Sequence, residues 1–265
     1  MIKTVVATTP LAHFVDRLQT CKVELEPYPH FYLENVFPEA YYRSLLEHLP
    51  DQGSYQNLFE ITDLKLDHFR HRDQRDLNDG WINGLSVELQ TFWSDFNEWF
   101  LGREMAEAVL DSFSSSLYLR FGPRDFWPEV SVESQLIRHR PGYFLGPHSD
   151  LYTKLVVLLI YLPLDDRAAH LGTSLYRPKD PTFTCDNSTH YPFEDFIKVK
   201  TVPYKPNSML AFLRTGNSFH GVEPLSEQDL SIGARDLIQY VLHDKQSRIA
   251  QLRARRLAAE QKGTA

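Results

Sequence analysis

His148-Ser149-Asp150 sets an imidazole and a carboxylate two residues apart. In extended backbone that spacing turns both side chains to one face, where they can grip a single metal ion. The triplet alone says little. Eleven histidines, each with a 35-in-265 chance of an acid two places on, give about 1.5 such triplets by accident, and the chain has two. The other, His71-Arg72-Asp73, lies in the run from Asp67 to Asp76, which reads as a solvated, self-compensating charge cluster. A third ligand is at hand only for the first triplet: Asn217-Ser218-Phe219-His220-Gly221-Val222 supplies His220 just after an apolar run. Two imidazoles and one carboxylate on one face of an octahedron leave three positions open, the arrangement in which non-haem iron(II) activates dioxygen. Arg235 adds a guanidinium at the start of Arg235-Asp236-Leu237-Ile238-Gln239-Tyr240. Such a group at the head of a buried strand needs a carboxylate, and its forked geometry suits a dicarboxylate cosubstrate.

Short strands must position these residues. Ser134–His139, Lys154–Leu162, Ile197–Val202, Ser208–Leu213 and Leu237–Leu242 are rich in β-branched or aromatic residues and punctuated by Pro, Gly and Asn. Strands so spaced, without helices between them, favour a sandwich or barrel over a parallel α/β sheet. A turn from Pro141-Gly142 to Gly146-Pro147 leads into His148. The first 120 residues or so read as mainly helical. Pro38-Glu39-Ala40 opens one helix and Pro50 closes it, while Leu85, Leu89, Phe92, Phe96 and Phe100 form one core-facing helical stripe. Residues 163–196, poor in aliphatics, read as a long excursion between strands and are expected to form a flexible cover over the site.

Composition bounds the function classes. The chain has 265 residues, 42% hydrophobic and 24% charged, so a sizeable core is expected and wholesale disorder is excluded. No apolar run approaches the roughly 18 residues of a membrane-spanning helix. Met1–Phe14 is broken by Pro10 and His13 and makes a poor secretory signal. Cys21 and Cys185 support neither a disulfide framework nor a four-thiolate zinc site; reduced thiols and a cytoplasmic location are expected. A net charge of −7 argues against general nucleic-acid binding. The exception is the stretch 245–265, where six cations face only Glu260; a solvated basic helical tail is expected. The division expected is an N-terminal helical part (1–125), a β-rich core (126–244) and that tail, all within one compact catalytic unit.

From Gln135 to Leu242 the chain resembles the iron(II)/2-oxoglutarate-dependent oxygenase superfamily, on its prolyl-hydroxylase-like side. The matching pieces are Arg138-His139-Arg140-Pro141-Gly142, Pro147-His148-Ser149-Asp150, Leu159-Ile160-Tyr161-Leu162-Pro163, Phe219-His220-Gly221-Val222-Glu223-Pro224 and Arg235, in that order. Pro29–Pro38 is similar to the lead-in segment common in those enzymes. The resemblance implies an α+β fold, a double-stranded β-helix (jelly roll, cupin-like) with flanking N-terminal helices. It also implies Fe(2+) held by His148, Asp150 and His220, with 2-oxoglutarate and O2 as cosubstrates. Arg235 and Tyr161 would hold the distal carboxylate of 2-oxoglutarate, and His139 stands where relatives often carry a cosubstrate-binding Tyr. Two departures stand out: Leu171-Gly172-Thr173-Ser174 replaces the usual Gly-Gly, and Arg235 lies 15 residues after His220 because of a longer loop.

Asp150 favours hydroxylation, or a related C–H oxidation, over halogenation, since halogenating relatives carry a small residue there. The expected substrate is a small polar metabolite such as an amino acid or natural-product intermediate, with Arg138 and Arg140 as candidate substrate-carboxylate binders. Hydroxylation of a residue on a protein partner is the second enzyme reading. From another class comes a non-catalytic jelly-roll module holding a structural metal, although the sequence offers no fourth ligand to close such a site. No nucleic-acid or membrane partner is expected.

Overall fold

The strand Lys154–Tyr161 is apolar without a break after its first residue because both of its faces are covered. Val156, Leu158 and Ile160 pack toward the N-terminal helices, while Val157, Leu159 and Tyr161 turn to the opposite face. That period of two organises the molecule. The computed structural model describes residues 9–183, 185, 190–229 and 233–253.

Among these residues the strands are β1 (His30–Glu34), β2 (Gln56–Asn57), β3 (Arg72–Asp76), β4 (Val130–His139), β5 (Leu145–His148), β6 (Lys154–Tyr161), β7 (Thr173–Pro178), β8 (Phe196–Val202), β9 (Ser208–Leu213), β10 (His220–Val222) and β11 (Arg235–Asp244). They form a major sheet in the order β1-β9-β6-β11-β4-β3-β2 and a minor sheet β5-β10-β7-β8, with every pairing antiparallel. One apolar cluster takes Val157, Leu159, Phe212, Leu237 and Val241 from the major sheet and Leu175, Val202 and Val222 from the minor one. The two sheets therefore face each other as a sandwich.

The second and larger cluster lies on the far side of the major sheet. Helices Pro10–Gln19, Glu39–Glu47, Val87–Phe100, Arg103–Ser112 and Ser114–Phe121 cover it. The expected stripe faces the core: Leu85, Leu89 and Phe92 pack against it, Phe96 and Phe100 are fully buried, and Phe100 meets Tyr240 of β11 edge to face with ring centres 5.0 Å apart. Leu85 precedes the helix. No helix among the described residues is long and apolar enough to cross a membrane.

Several readings change. The N-terminal third is not simply helical, since β1, β2 and β3 extend the major sheet on both edges. Residues 163–196 are not one excursion. They contain β7, an inner strand of the minor sheet, where Thr173, Ser174, Leu175 and Tyr176 are all buried. Gly172 lets β7 begin there, because a Cβ at that position would lie 1.5 Å from the Val202 carbonyl oxygen. Sparse aliphatics hid the strand. Of the basic tail, residues 245–253 are helical, with Arg248 paired to Glu133 and Lys245 to Glu129; residues 254–265 lie outside the described part.

The charge cluster is solvated only in part: Asp67, Arg70 and Asp76 are exposed, but Asp73 is not. Asp73 sits in β3 with its side chain 4% exposed and an Arg140 nitrogen 2.8 Å away. Gln52 and Asn57 donate to the same carboxylate at 2.8 and 2.7 Å. Asp73→Ala is therefore expected to destabilise the fold by about 1–3 kcal/mol, because three donors lose a buried acceptor. Urea unfolding followed by circular dichroism measures this; an unchanged midpoint would return Asp73 to the surface class.

Candidate metal centre

The minor sheet brings the two histidines together. His148 ends β5, His220 begins β10, and the two are direct register partners, their ring centres 4.3 Å apart. Asp150 follows two residues after His148, as the sequence spacing required. Ligand atoms of His148, Asp150 and His220 all lie within 4.8 Å of one another. Among the described residues this is the sole group of three or more His, Cys, Asp or Glu side chains able to share an ion.

Local hydrogen bonds set the tautomers. Each imidazole donates its Nδ1–H to a carbonyl two residues upstream, His148 to Gly146 at 3.1 Å and His220 to Ser218 at 3.0 Å. A carbonyl only accepts, so both Nε2 lone pairs are left for an ion, the usual outer support of a ligating histidine. Burial pushes both imidazoles below their ordinary range, His148 to about 3, which keeps them neutral. Burial by itself would raise the Asp150 carboxyl; Lys154, then His220 and His148, more than offset it and hold it well below the usual range. Lys154 donates to Asp150 Oδ1 at 2.7 Å. Asp150 Oδ2 is buried without a hydrogen-bond partner and lies 3.6 Å from His220 Nε2. A buried carboxylate oxygen left open between two neutral nitrogen donors fits a divalent cation.

Across the cavity the major sheet contributes Arg235, which is 1% exposed. It donates to the Leu171 carbonyl at 2.7 Å, to His139 Nδ1 at 2.9 Å and to Thr173 Oγ1 at 3.2 Å. All three acceptors are neutral. Among the described residues no carboxylate pairs with Arg235, and such a buried guanidinium is a built anion site, since burying an unpaired charge is otherwise costly. Because Arg235 donates to Nδ1, the neutral His139 carries its proton on Nε2, and that atom is buried with no partner. Burial, then Arg235 and Arg72, holds His139 well below its ordinary range. Tyr143 stacks on its ring at 3.8 Å. The turn that brings Tyr143 there needs Gly142 at φ +91°, a conformation other residues adopt at a cost.

His139, His148, Asp150, His220 and Arg235 thus line one cavity of about 100 Å³, walled by Ile137, Leu159, Val222 and Leu237. Tyr161 reaches it indirectly: its hydroxyl donates to Thr173 Oγ1 at 2.8 Å, and Thr173 lines the space. Arg138 and Arg140 do not line it. On β4 the alternation that turns His139 inward turns Arg138 outward, where it forms a two-pronged ion pair with Asp236 at 2.7 and 3.0 Å. Arg140 lies beyond the strand end against Asp73. Sequence reasoning missed Lys154, Thr173 and Arg72. Lys154 had a signal in its spacing of four from Asp150; Thr173 and Arg72 had none.

No known family profile matches the sequence, and no curated protein matches it. Among solved structures, a prolyl hydroxylase from Trichoplax adhaerens, in complex with a peptide fragment of the hypoxia inducible factor oxygen degradation domain, is similar over 91% of each chain. The identity is 13% and the TM-score 0.52. A Pseudomonas putida prolyl-4-hydroxylase is similar over 89% of this chain and 100% of its own, at 16% identity and a TM-score of 0.49. The first likeness carries the fold, an α+β double-stranded β-helix with flanking helices, as expected from the sequence.

Proposed function

We propose that the protein is an iron(II)- and 2-oxoglutarate-dependent oxygenase that oxidises a C–H bond of a small polar molecule. The observation that carries the reading is the pairing, in one cavity, of an open His148–Asp150–His220 cluster with the buried, uncompensated Arg235. A structural metal site is closed by four protein ligands; here a fourth is missing among the described residues. Iron(II) would couple the oxidative decarboxylation of 2-oxoglutarate by dioxygen to oxidation of the substrate.

The protein's share is positional. Nε2 of His148 and of His220 and Oδ2 of Asp150 hold the ion, while Lys154 keeps the carboxylate ionised and turned. Arg235 and Thr173 take the distal carboxylate of the cosubstrate, with Tyr161 supporting Thr173. His139 offers its Nε2–H from the same wall. Ile137, Leu159, Val222 and Leu237 give the cavity its apolar walls. Close ring packing of His68 with Phe144 and His190, 4.4 and 4.9 Å apart, narrows the space beside β5, which supports a small substrate.

Calorimetry followed by product assay tests this. Manganese(II) is expected to bind first and 2-oxoglutarate only afterwards, and the iron(II) form should release succinate under oxygen, faster with a pool of small metabolites than with peptides. Metal uptake without any 2-oxoglutarate binding would instead favour the non-catalytic module.

A further inference from the structure

Arg235 is not the only unmatched cation in the cavity. Arg72 lines the same space, and its Nε is buried with no hydrogen-bond partner. The buried acids of this region are already engaged, Asp73 with Arg140, Asp150 with Lys154 and Asp236 with Arg138, and Asp67 is exposed. Among the described residues no carboxylate lies within ion-pairing distance of Arg72.

Register explains how a residue from the charge cluster arrives here. Arg72 of β3 faces His139 of β4, which faces Arg235 of β11. The three side chains therefore stand in one row on the cavity face, with the guanidinium-bearing positions two strand spacings, roughly 10 Å, apart. Alternation along β3 explains the contrast with Asp73, which points the other way toward Arg140. The cavity is lined by three cations, Arg72, Lys154 and Arg235, against the single carboxylate of Asp150. Lys154 answers Asp150, and on the reading above Arg235 answers the cosubstrate. Arg72 remains.

We infer that Arg72 binds a carboxylate of the molecule being oxidised, so that the substrate is a small organic acid. The inference rests on the oxygenase reading for what Arg235 holds, and it assigns to Arg72 the role that the sequence suggested for Arg138 and Arg140. A guanidinium presents paired donors that match a carboxylate and not its neutral amide. Arg72 is half-buried with its Nε fully enclosed, so an uncharged analogue leaves that donor and part of the charge unpaired and binds less well.

The test compares wild type with Arg72→Gln and Arg72→Lys, each loaded with manganese(II) and 2-oxoglutarate. The probes are N-acetyl amino acids and simple aliphatic and aromatic carboxylates, each set against its primary amide; binding is read by thermal shift and calorimetry. Acids are expected to bind the wild type in preference to their amides. In Arg72→Gln their affinity should fall by about tenfold or more, while Arg72→Lys, which keeps the charge and loses the fork, should fall between. Affinity for 2-oxoglutarate should stay within about twofold in both variants. An equal loss of 2-oxoglutarate binding in Arg72→Gln would assign Arg72 to the cosubstrate and overturn the inference. So would acids that bind no better than their amides. If the wild type took up no 2-oxoglutarate, the oxygenase reading would fall, and acid-over-amide preference in the unloaded protein, lost in Arg72→Gln, would still stand for Arg72.

Discussion

Asp150→Ala is expected to lower manganese(II) affinity by about 100-fold or more and to abolish iron-dependent turnover. Changes to the outer support of a metal ligand commonly cost 10–100-fold, and loss of a ligand exceeds that. Two neutral imidazoles would remain, with the Lys154 ammonium released beside them. Opposite unit charges about 4 Å apart are worth about 4 kcal/mol at an effective dielectric near 20, and like charges cost as much. The variant therefore both loses an attraction and gains a repulsion. Folding should survive, with the melting temperature lowered by several degrees, since Asp150 lies outside the strands while Lys154, its side chain 15% exposed, loses its partner. Calorimetry with manganese(II) and a thermal melt decide it. Wild-type metal affinity in the variant would remove His148 and His220 from consideration as well, because no other carboxylate among the described residues joins them.

Arg235→Ala is expected to leave metal affinity within a few fold and to weaken 2-oxoglutarate binding by roughly 30-fold to several thousandfold. That range corresponds to the 2–5 kcal/mol lost when one partner of a buried charge pair is removed. Tyr161→Phe should cost much less, about 1 kcal/mol, because its hydroxyl meets Thr173 and acts on the anion only through it. Arg235→Lys should fall between, since a single ammonium cannot serve the Leu171 carbonyl, His139 and Thr173 together. Titration of 2-oxoglutarate into the manganese-loaded variants gives the numbers. An unchanged dissociation constant in Arg235→Ala would place the cosubstrate elsewhere.

What the sequence by itself determined is local. His148 and Asp150 had to share a face because backbone alternation turns residues two apart the same way, and the run Val156–Tyr161 had to be a strand covered on both sides. The stripe Phe92, Phe96 and Phe100 had to face a core. Residue chemistry then paired the histidines with the carboxylate, and the order of weak motifs pointed to one fold. Tertiary structure decided everything that depends on pairing between distant segments. His220 lies 72 positions from His148 yet is its register partner, which no local pattern specifies. Arg138 and His139 are adjacent and carry similar sequence signals; only the choice of which face of β4 meets the minor sheet sends one to Asp236 and the other to Arg235. Arg72 and Asp73 looked like surface charge until β3 docked on β4 and split them, one into the cavity and one into a buried ion pair. A charged residue reads as solvated in any sequence window, because water is its default partner; only a neighbouring strand, fixed by backbone hydrogen bonds, can take that water away.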